Sequence, residues 1–202
     1  MISAPGAQAP SSGGKMPAQS RIAGLEIRDA TSDDIASVQA IYAHHVLNSI
    51  YTFEEIPPTV DEMRQRLDKI TNQGLPFLVA VLDGVVVGYA YAGLYRPRIA
   101  YRYTLEDSIY LSPQQSGKGL GKVLLAELLR RCEQGPWRQM IAVIAGHDNR
   151  SSISLHRSLG FAYVGAQPAT GYKLGRWIDV VFMQRALGAG SGSAPDAWDF
   201  PG

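Results

Sequence analysis

Positions 109 to 122 read Ile-Tyr-Leu-Ser-Pro-Gln-Gln-Ser-Gly-Lys-Gly-Leu-Gly-Lys, and they are the residues best suited to chemistry in this chain. Gly117, Gly119 and Gly121 alternate, so the turn carries few side chains and its N–H groups can converge on one point. Leu120 opens a helical stripe continued by Val123, Leu124, Leu125, Leu128, Leu129 and Cys132, with Lys122, Glu127, Arg130 and Arg131 outside it. Bare amides at the positive end of a helix bind phosphate.

Register decides which phosphate. A dinucleotide fingerprint needs a third glycine at the sixth place, which is Lys122 counted from Gly117 and Leu124 counted from Gly119. A triphosphate loop needs a glycine five residues earlier, where Ser112 precedes Gly117 and Ser116 precedes Gly121. Both fail. A short phosphate turn after an extended Ile109-Tyr110-Leu111 fits, and a glycine turn without a ligand is the alternative.

Other reactive residues are sparse. Cys132 is the single cysteine and falls on the apolar helix face, so it reads as a buried thiol in a reducing compartment. His44 and His45 are neighbours on a predicted helix and cannot share one face, while His147 has no ligand at matching spacing; no metal site is expected.

Positioning these residues takes a particular series of elements. Strands are predicted at Leu25–Asp29, Phe77–Val81, Val85–Ala92, Tyr103–Leu111, Ile141–Ile144, Phe161–Gln167 and Trp177–Gln184. Helices are predicted from Ile35, over Val60–Thr71, from Leu120, and over Asp148–Leu159. Asp83-Gly84 signals a hairpin, and Gly171 and Gly175 mark irregular backbone between the last two strands. That order is a mixed α/β sandwich, not a doubly wound sheet. Residues 1–24 read as a disordered leader and 188–202 as a flexible tail in which Trp198 and Phe200 have some capacity to dock, leaving a domain over 25–187.

The glycine turn resembles the pyrophosphate loop of the GCN5-related N-acetyltransferases (GNAT), which bind acetyl-coenzyme A. Asn149, Ser152, Leu155 and Leu159-Gly160-Phe161 match the order of that family's second motif. Within it, Tyr101 to Ser108 and Gly171 to Val180 look like the phosphinothricin and methionine sulfoximine/sulfone N-acetyltransferases. Two departures stand out: Ser116 occupies a loop position where relatives often carry Gln or Arg, and His156 occupies one where the wider family often carries a tyrosine acid, although the resembled subgroup itself carries histidine there.

The resemblance implies a mostly antiparallel sheet flanked by about four helices and direct acetyl transfer to the α-amine of a small amino acid or analogue. That amine has a reference pKa of about 8, so deprotonating it at neutral pH costs only about 1 kcal/mol and positioning matters as much as basicity. Glu106 is then the base, and backbone amides around Ile109, Tyr110 and Leu111 serve the thioester carbonyl. Gly117, Lys118, Gly119, Leu120, Gly121 and Lys122 hold the diphosphate, with Asn149 and Ser152 beside the pantetheine arm. As a plain helix cap Asn149 needs no ligand. His156 protonates the departing sulfur or orients the base, or is structural. Arg98, Tyr101, Tyr103 and Phe53 meet the acceptor, and relatives form homodimers. The same residues leave open an acetyltransferase for another amine, a protein N-terminus or polyamine, and a non-catalytic acyl-CoA-binding module.

The bulk properties agree. The 202 residues are 46% hydrophobic and 18% charged with a net charge of +1, an ordinary globular balance with no electrostatic case for nucleic acid or an anionic membrane. No apolar run is long enough to span a bilayer and the N-terminus lacks a signal-peptide core, so the expected compartment is the cytoplasm.

Overall fold

The structure is a computed structural model and describes residues 22–197. The leader expected over residues 1–24 lies outside this range up to residue 21; residues 22–24 turn into the first strand, with Leu25 N–H donating to Ile22 C=O. Trp198 and Phe200 also lie outside it.

Seven strands form one sheet. In chain order the elements are β1 (Leu25–Asp29), α1 (Ile35–Asn48), α2 (Val60–Asn72), β2 (Phe77–Leu82), β3 (Val85–Leu94), β4 (Thr104–Leu111), α3 (Leu120–Cys132), β5 (Gln139–Ala145), α4 (Arg150–Ser158), β6 (Ala162–Lys173) and β7 (Arg176–Ala186). The spatial order is β1-β2-β3-β4-β5-β7-β6, and every neighbouring pair is antiparallel except β4 and β5. The mixed α/β order is the one read from the residues, and the mostly antiparallel sheet with four helices is what the family resemblance implies.

Local chemistry explains the ends of the elements. Thr59 and Glu62 exchange reciprocal hydrogen bonds at the start of α2, and Thr31 with Asp34 does the same ahead of α1. Asp34 also takes both guanidinium nitrogens of Arg28 at 2.7 and 2.8 Å. Asp83 and Gly84, both at positive φ, form the tight turn between β2 and β3.

Alternation along β4 assigns the two faces of the sheet. Tyr110 packs edge-on to Tyr42 of α1, whereas Leu111 packs against Gly121 of α3. Successive side chains point to opposite faces, so α1 and α3 lie on opposite sides. Ile35, Val38, Leu78, Ala90, Leu105, Leu124, Leu128 and Met183 are among the fully buried residues between them. Cys132 is buried there too, and burial pushes its thiol up to about 12, which fits the expected structural thiol.

One element differs from expectation. Gly171 does not interrupt the chain: β6 runs on to Lys173, with register shifts at Tyr163/Gly165 and between Gln167 and Gly171 and with Ala169 at positive φ. The glycine sits where the ring of Phe53 comes so close that a Cβ would stand 2.7 Å from it. Past β7, the segment 188–197 lies against the start of β4 and β5, where the Tyr103 hydroxyl donates to Asp196 C=O at 2.9 Å and Arg138 to Ala194 C=O at 3.3 Å.

Candidate active site

A parallel pair that separates is the feature on which the site is built. β4 and β5 pair over Thr104–Asp107 and Gln139–Ala142, and then β4 continues to Leu111 and β5 to Ala145 without each other. Ser112 N–H donates to Val87 C=O on β3. By alternation, the peptide groups of Ile109 and Leu111 therefore point away from β3 and into the gap. Backbone groups left this way inside a protein require a partner.

The gap opens into a cavity of about 840 Å³ walled by β4, β5, the end of α1, the start of α3 and α4. Around it stand Phe53, Glu106, Ile109, Tyr110, Leu111, Gly117, Gly119, Gly121, Lys122, Asn149, Ser152 and His156, which the sequence reading grouped as one site. Lys118 and Leu120 lie in the same turn but not in the wall, and Leu120 is buried in the core. Arg98, Tyr101 and Tyr103 lie outside the cavity on the link before β4. Arg98 is exposed, Tyr101 packs edge-on to Tyr95, and Tyr103 lies under the Arg102 guanidinium.

At the glycine turn, Gly117 and Gly119 have φ of 77° and 78°, and the place of a Cβ is open space at both. Gly119 is the N-cap of α3 and provides no side-chain cap, so the helix presents its first amides outward. A diphosphate fits this cradle, with Lys122 at its side. The peptide groups of Ile109 and the N–H of Leu111 fit an extended chain bearing amides, which would lie in the gap like a strand, while the Leu111 C=O is taken by His45.

Glu106 lies within β4, on the face opposite Asp107 and His156. Burial, and then the charge of Asp107, push its carboxyl up to about 7, and Arg96 opposes that push. The cation that Glu106 feels is thus Arg96 rather than Arg98. A half-buried carboxylate titrating there is suited to taking a proton from an amine.

Across the strand, His156 is buried and bonded through Nε2 to Asp107 Oδ2 at 3.0 Å. Burial disfavours its charged form, but Asp107 and the Ser152 carbonyl outweigh that and raise its pKa. Asn149 has both ends of its amide engaged: Oδ1 accepts from Ser152 N–H and Nδ2 donates to Ala145 C=O. It therefore caps α4 and ties it to the end of β5.

Two wall residues escaped the sequence reading. His45 donates from Nε2 to Leu111 C=O at 2.8 Å, and its Nδ1 is buried without a partner; burial lowers its pKa. The signal was present, because position 45 falls on the buried stripe of Val38, Tyr42 and Val46. Asp107 was passed over because it stands beside Glu106, although its opposite parity on β4 sends it to the other face. Among the described residues there is no cluster of His, Cys, Asp and Glu able to hold a metal ion, and no helix long and apolar enough to cross a membrane.

Comparison with known proteins matches residues 27–182 to the acetyltransferase (GNAT) domain. The chain is 50% identical to a phosphinothricin N-acetyltransferase of Alcaligenes faecalis over 84% of this chain and 86% of that protein. It is 38% identical to an L-methionine sulfoximine/L-methionine sulfone acetyltransferase of Salmonella typhimurium, over 86% of this chain and 99% of that one. A solved GNAT superfamily phosphinothricin acetyltransferase from Sinorhizobium meliloti, in complex with acetyl-CoA, superimposes with a TM-score of 0.85 at 50% identity, covering 89% of this chain and 97% of its own. With separated strands, glycine turn and sequence in agreement, the chain belongs to the GNAT acetyltransferases.

Proposed function

We propose that this protein transfers the acetyl group of acetyl-CoA to the α-amine of a small amino acid or analogue, with phosphinothricin, methionine sulfoximine and methionine sulfone as first candidates. The observation that carries the reading is the gap between β4 and β5, which has a phosphate cradle at one end and Glu106, at about 7, at the other. The names and high coverage of the relatives support the substrate class.

In this reading the diphosphate rests on the amides of the Gly117–Lys122 turn, and the pantetheine arm pairs with Ile109 and Leu111 beside Asn149 and Ser152. Glu106 takes the proton of the attacking amine, directly or through water, and backbone N–H groups of β4 receive the developing oxyanion. His156 serves the leaving sulfur through the groups it is bonded to. Arg98, on the link before β4, offers its guanidinium to the acceptor's acidic groups, with Tyr101 and Tyr103 of the same link and Phe53 of the cavity wall as the other acceptor contacts. The reading includes a homodimer, supported by exposed Tyr172, Leu174 and Trp177 at the β6–β7 hairpin, and a cytoplasmic protein without nucleic-acid or membrane partners.

The test is release of coenzyme A thiol from acetyl-CoA in the presence of each amino acid of the panel. Faster release with an acidic or sulfone-bearing amino acid than with polyamine or peptide is expected. Protein that binds the coenzyme yet acetylates no amino acid rejects the substrate class.

A further inference from the structure

Both ring nitrogens of His156 are already committed. Nδ1 lies 2.7 Å from the carbonyl oxygen of Ser152 and 3.3 Å from that residue's Oγ, while Nε2 lies 3.0 Å from Asp107 Oδ2. A carbonyl oxygen only accepts, so Nδ1 carries a hydrogen. Ser152 Oγ shares that hydrogen as a second acceptor, which leaves the proton of its own hydroxyl to be donated elsewhere. The side chains of His156 and Asp107 are only 3% and 2% exposed. His156 therefore has no N–H to offer a ligand. The member of the cluster with an uncommitted donor is Ser152, one helical turn earlier on the same face of α4 and in the wall of the cavity.

Asp107 completes the arrangement from β4. Its Oδ2 meets the ring, and its Oδ1 is buried with no partner, so the imidazole is the donor this carboxylate relies on. The groups facing the ring are few. Asp107 comes from β4, Ser152 from its own helix, and Phe161 stands edge-on at 5.0 Å. Cys132 of α3 is close to Asp107, and Glu106 is on the other face of the strand. Only Asp107 among them brings a charge to the ring itself, and it favours the imidazolium.

We propose that Ser152 is the catalytic proton donor to the departing coenzyme sulfur, resupplied by His156, with Asp107 as the positioning residue that holds the ring and keeps it protonated. The inference rests on the acetyl-transfer reading above. As the carbon–sulfur bond breaks, the electron pair stays on sulfur and the Ser152 hydroxyl proton joins it to give the thiol. The Nδ1 proton moves to Ser152 Oγ, and the hydroxyl turns to donate to the bared nitrogen. The imidazolium becomes neutral and keeps Nε2–H on Asp107. Glu106 has meanwhile gained the amine's proton on the opposite face of β4, so one proton is taken up and one given, and both groups reset with solvent.

The experiment compares Ser152→Ala, Ser152→Thr and Asp107→Asn with the wild type in two readouts. One is the pH profile of kcat, and the other is the ultraviolet thiolate titration of bound coenzyme A, which needs no acceptor. Ser152→Ala should lower kcat about 10²-fold while changing coenzyme affinity no more than about threefold. It should also raise the bound thiol's pKa by about one unit, because a donor that stabilises the thiolate is gone. Ser152→Thr should restore most of both. Asp107→Asn should move the alkaline limb of kcat to lower pH in protein that melts normally.

An unchanged kcat and thiol titration in Ser152→Ala overturns the relay. So does a loss of coenzyme affinity as large as the loss of kcat, which would make Ser152 a binding contact only. An Asp107→Asn protein with its alkaline limb in place removes Asp107 from the scheme, and if that variant does not fold the serine pair decides alone. Absence of turnover with every amine would sink the acetyl-transfer reading, while the thiol titration would still decide whether Ser152 serves the sulfur.

Discussion

Replacing Glu106 by Gln should abolish most activity and make the protein more stable, by an amount that grows as pH rises from 4.5 and is complete above about 7. The folded carboxyl titrates at about 7 against 4.5 for an ordinary glutamate. Between those values the folded state holds a proton that the unfolded chain has released, so the burden of charging Glu106 grows as pH rises from 4.5 and is complete above 7. A shift of 7 − 4.5 = 2.5 units corresponds to about 3.4 kcal/mol, and partial solvent access to the carboxyl reduces this to about 2 kcal/mol. Gln fills the same space without the charge. The variant should therefore melt roughly 4–8 °C higher than wild type at pH 8 and at the same temperature near pH 4. Its kcat should fall by about 10²-fold or more, and the acidic limb near pH 7 in kcat/KM should vanish from the residual rate. Melting curves at the two pH values with a thiol-release assay check both halves. Equal stability at pH 8, or the same gain at both pH values, would refute the claim that this carboxylate is held charged at a cost to the fold.

The other expectations are simpler. Gly119→Val forces a branched side chain into φ of 78° and into the open cradle, so coenzyme affinity measured by calorimetry should drop at least about tenfold with little change in the circular dichroism spectrum. His45→Ala leaves Leu111 C=O without its donor and should cost about 1–2 kcal/mol in urea denaturation; His45→Gln, which can still donate, should recover part of it. Asp34 is held down to about 2 by Arg28, against 3.8 unfolded, so its contribution is present above 3.8 and lost as pH falls through 2. Asp34→Asn should destabilise by about 1–2 kcal/mol at pH 7, after allowing for the partly exposed Arg28, and by almost nothing at pH 2.

Most of the scaffold was legible because its signals are local. The glycine turn, the stripe of α3, the Asp83-Gly84 hairpin and the cap at Asn149 each depend on residues within a few positions, and each is found where spacing placed it. The limits of the reading are contacts between distant segments. Nothing near Gly171 announces that Phe53 will lie across it, so a glycine in an unbroken strand reads as a break. His45 meets Leu111 from 66 positions away. Asp107 acquires its meaning from His156, 49 positions later, and beside Glu106 in the sequence the two carboxylates look alike. Strand parity separates them.

Two anchors from the last hairpin reach the loop that follows α1. The buried ammonium of Lys173 donates to Thr52 C=O at 2.8 Å, and Gly171 makes room for the ring of Phe53. Thr52 and Phe53 belong to the rim of the cavity, so the outermost strand of the sheet sets the shape of its mouth although it stands two strands away from β5, the nearer wall of the gap. Changes along that rim strand, made for whatever reason, will retune which amines are admitted without touching any group that takes part in bond making. Selectivity in this molecule is thus adjustable from its periphery.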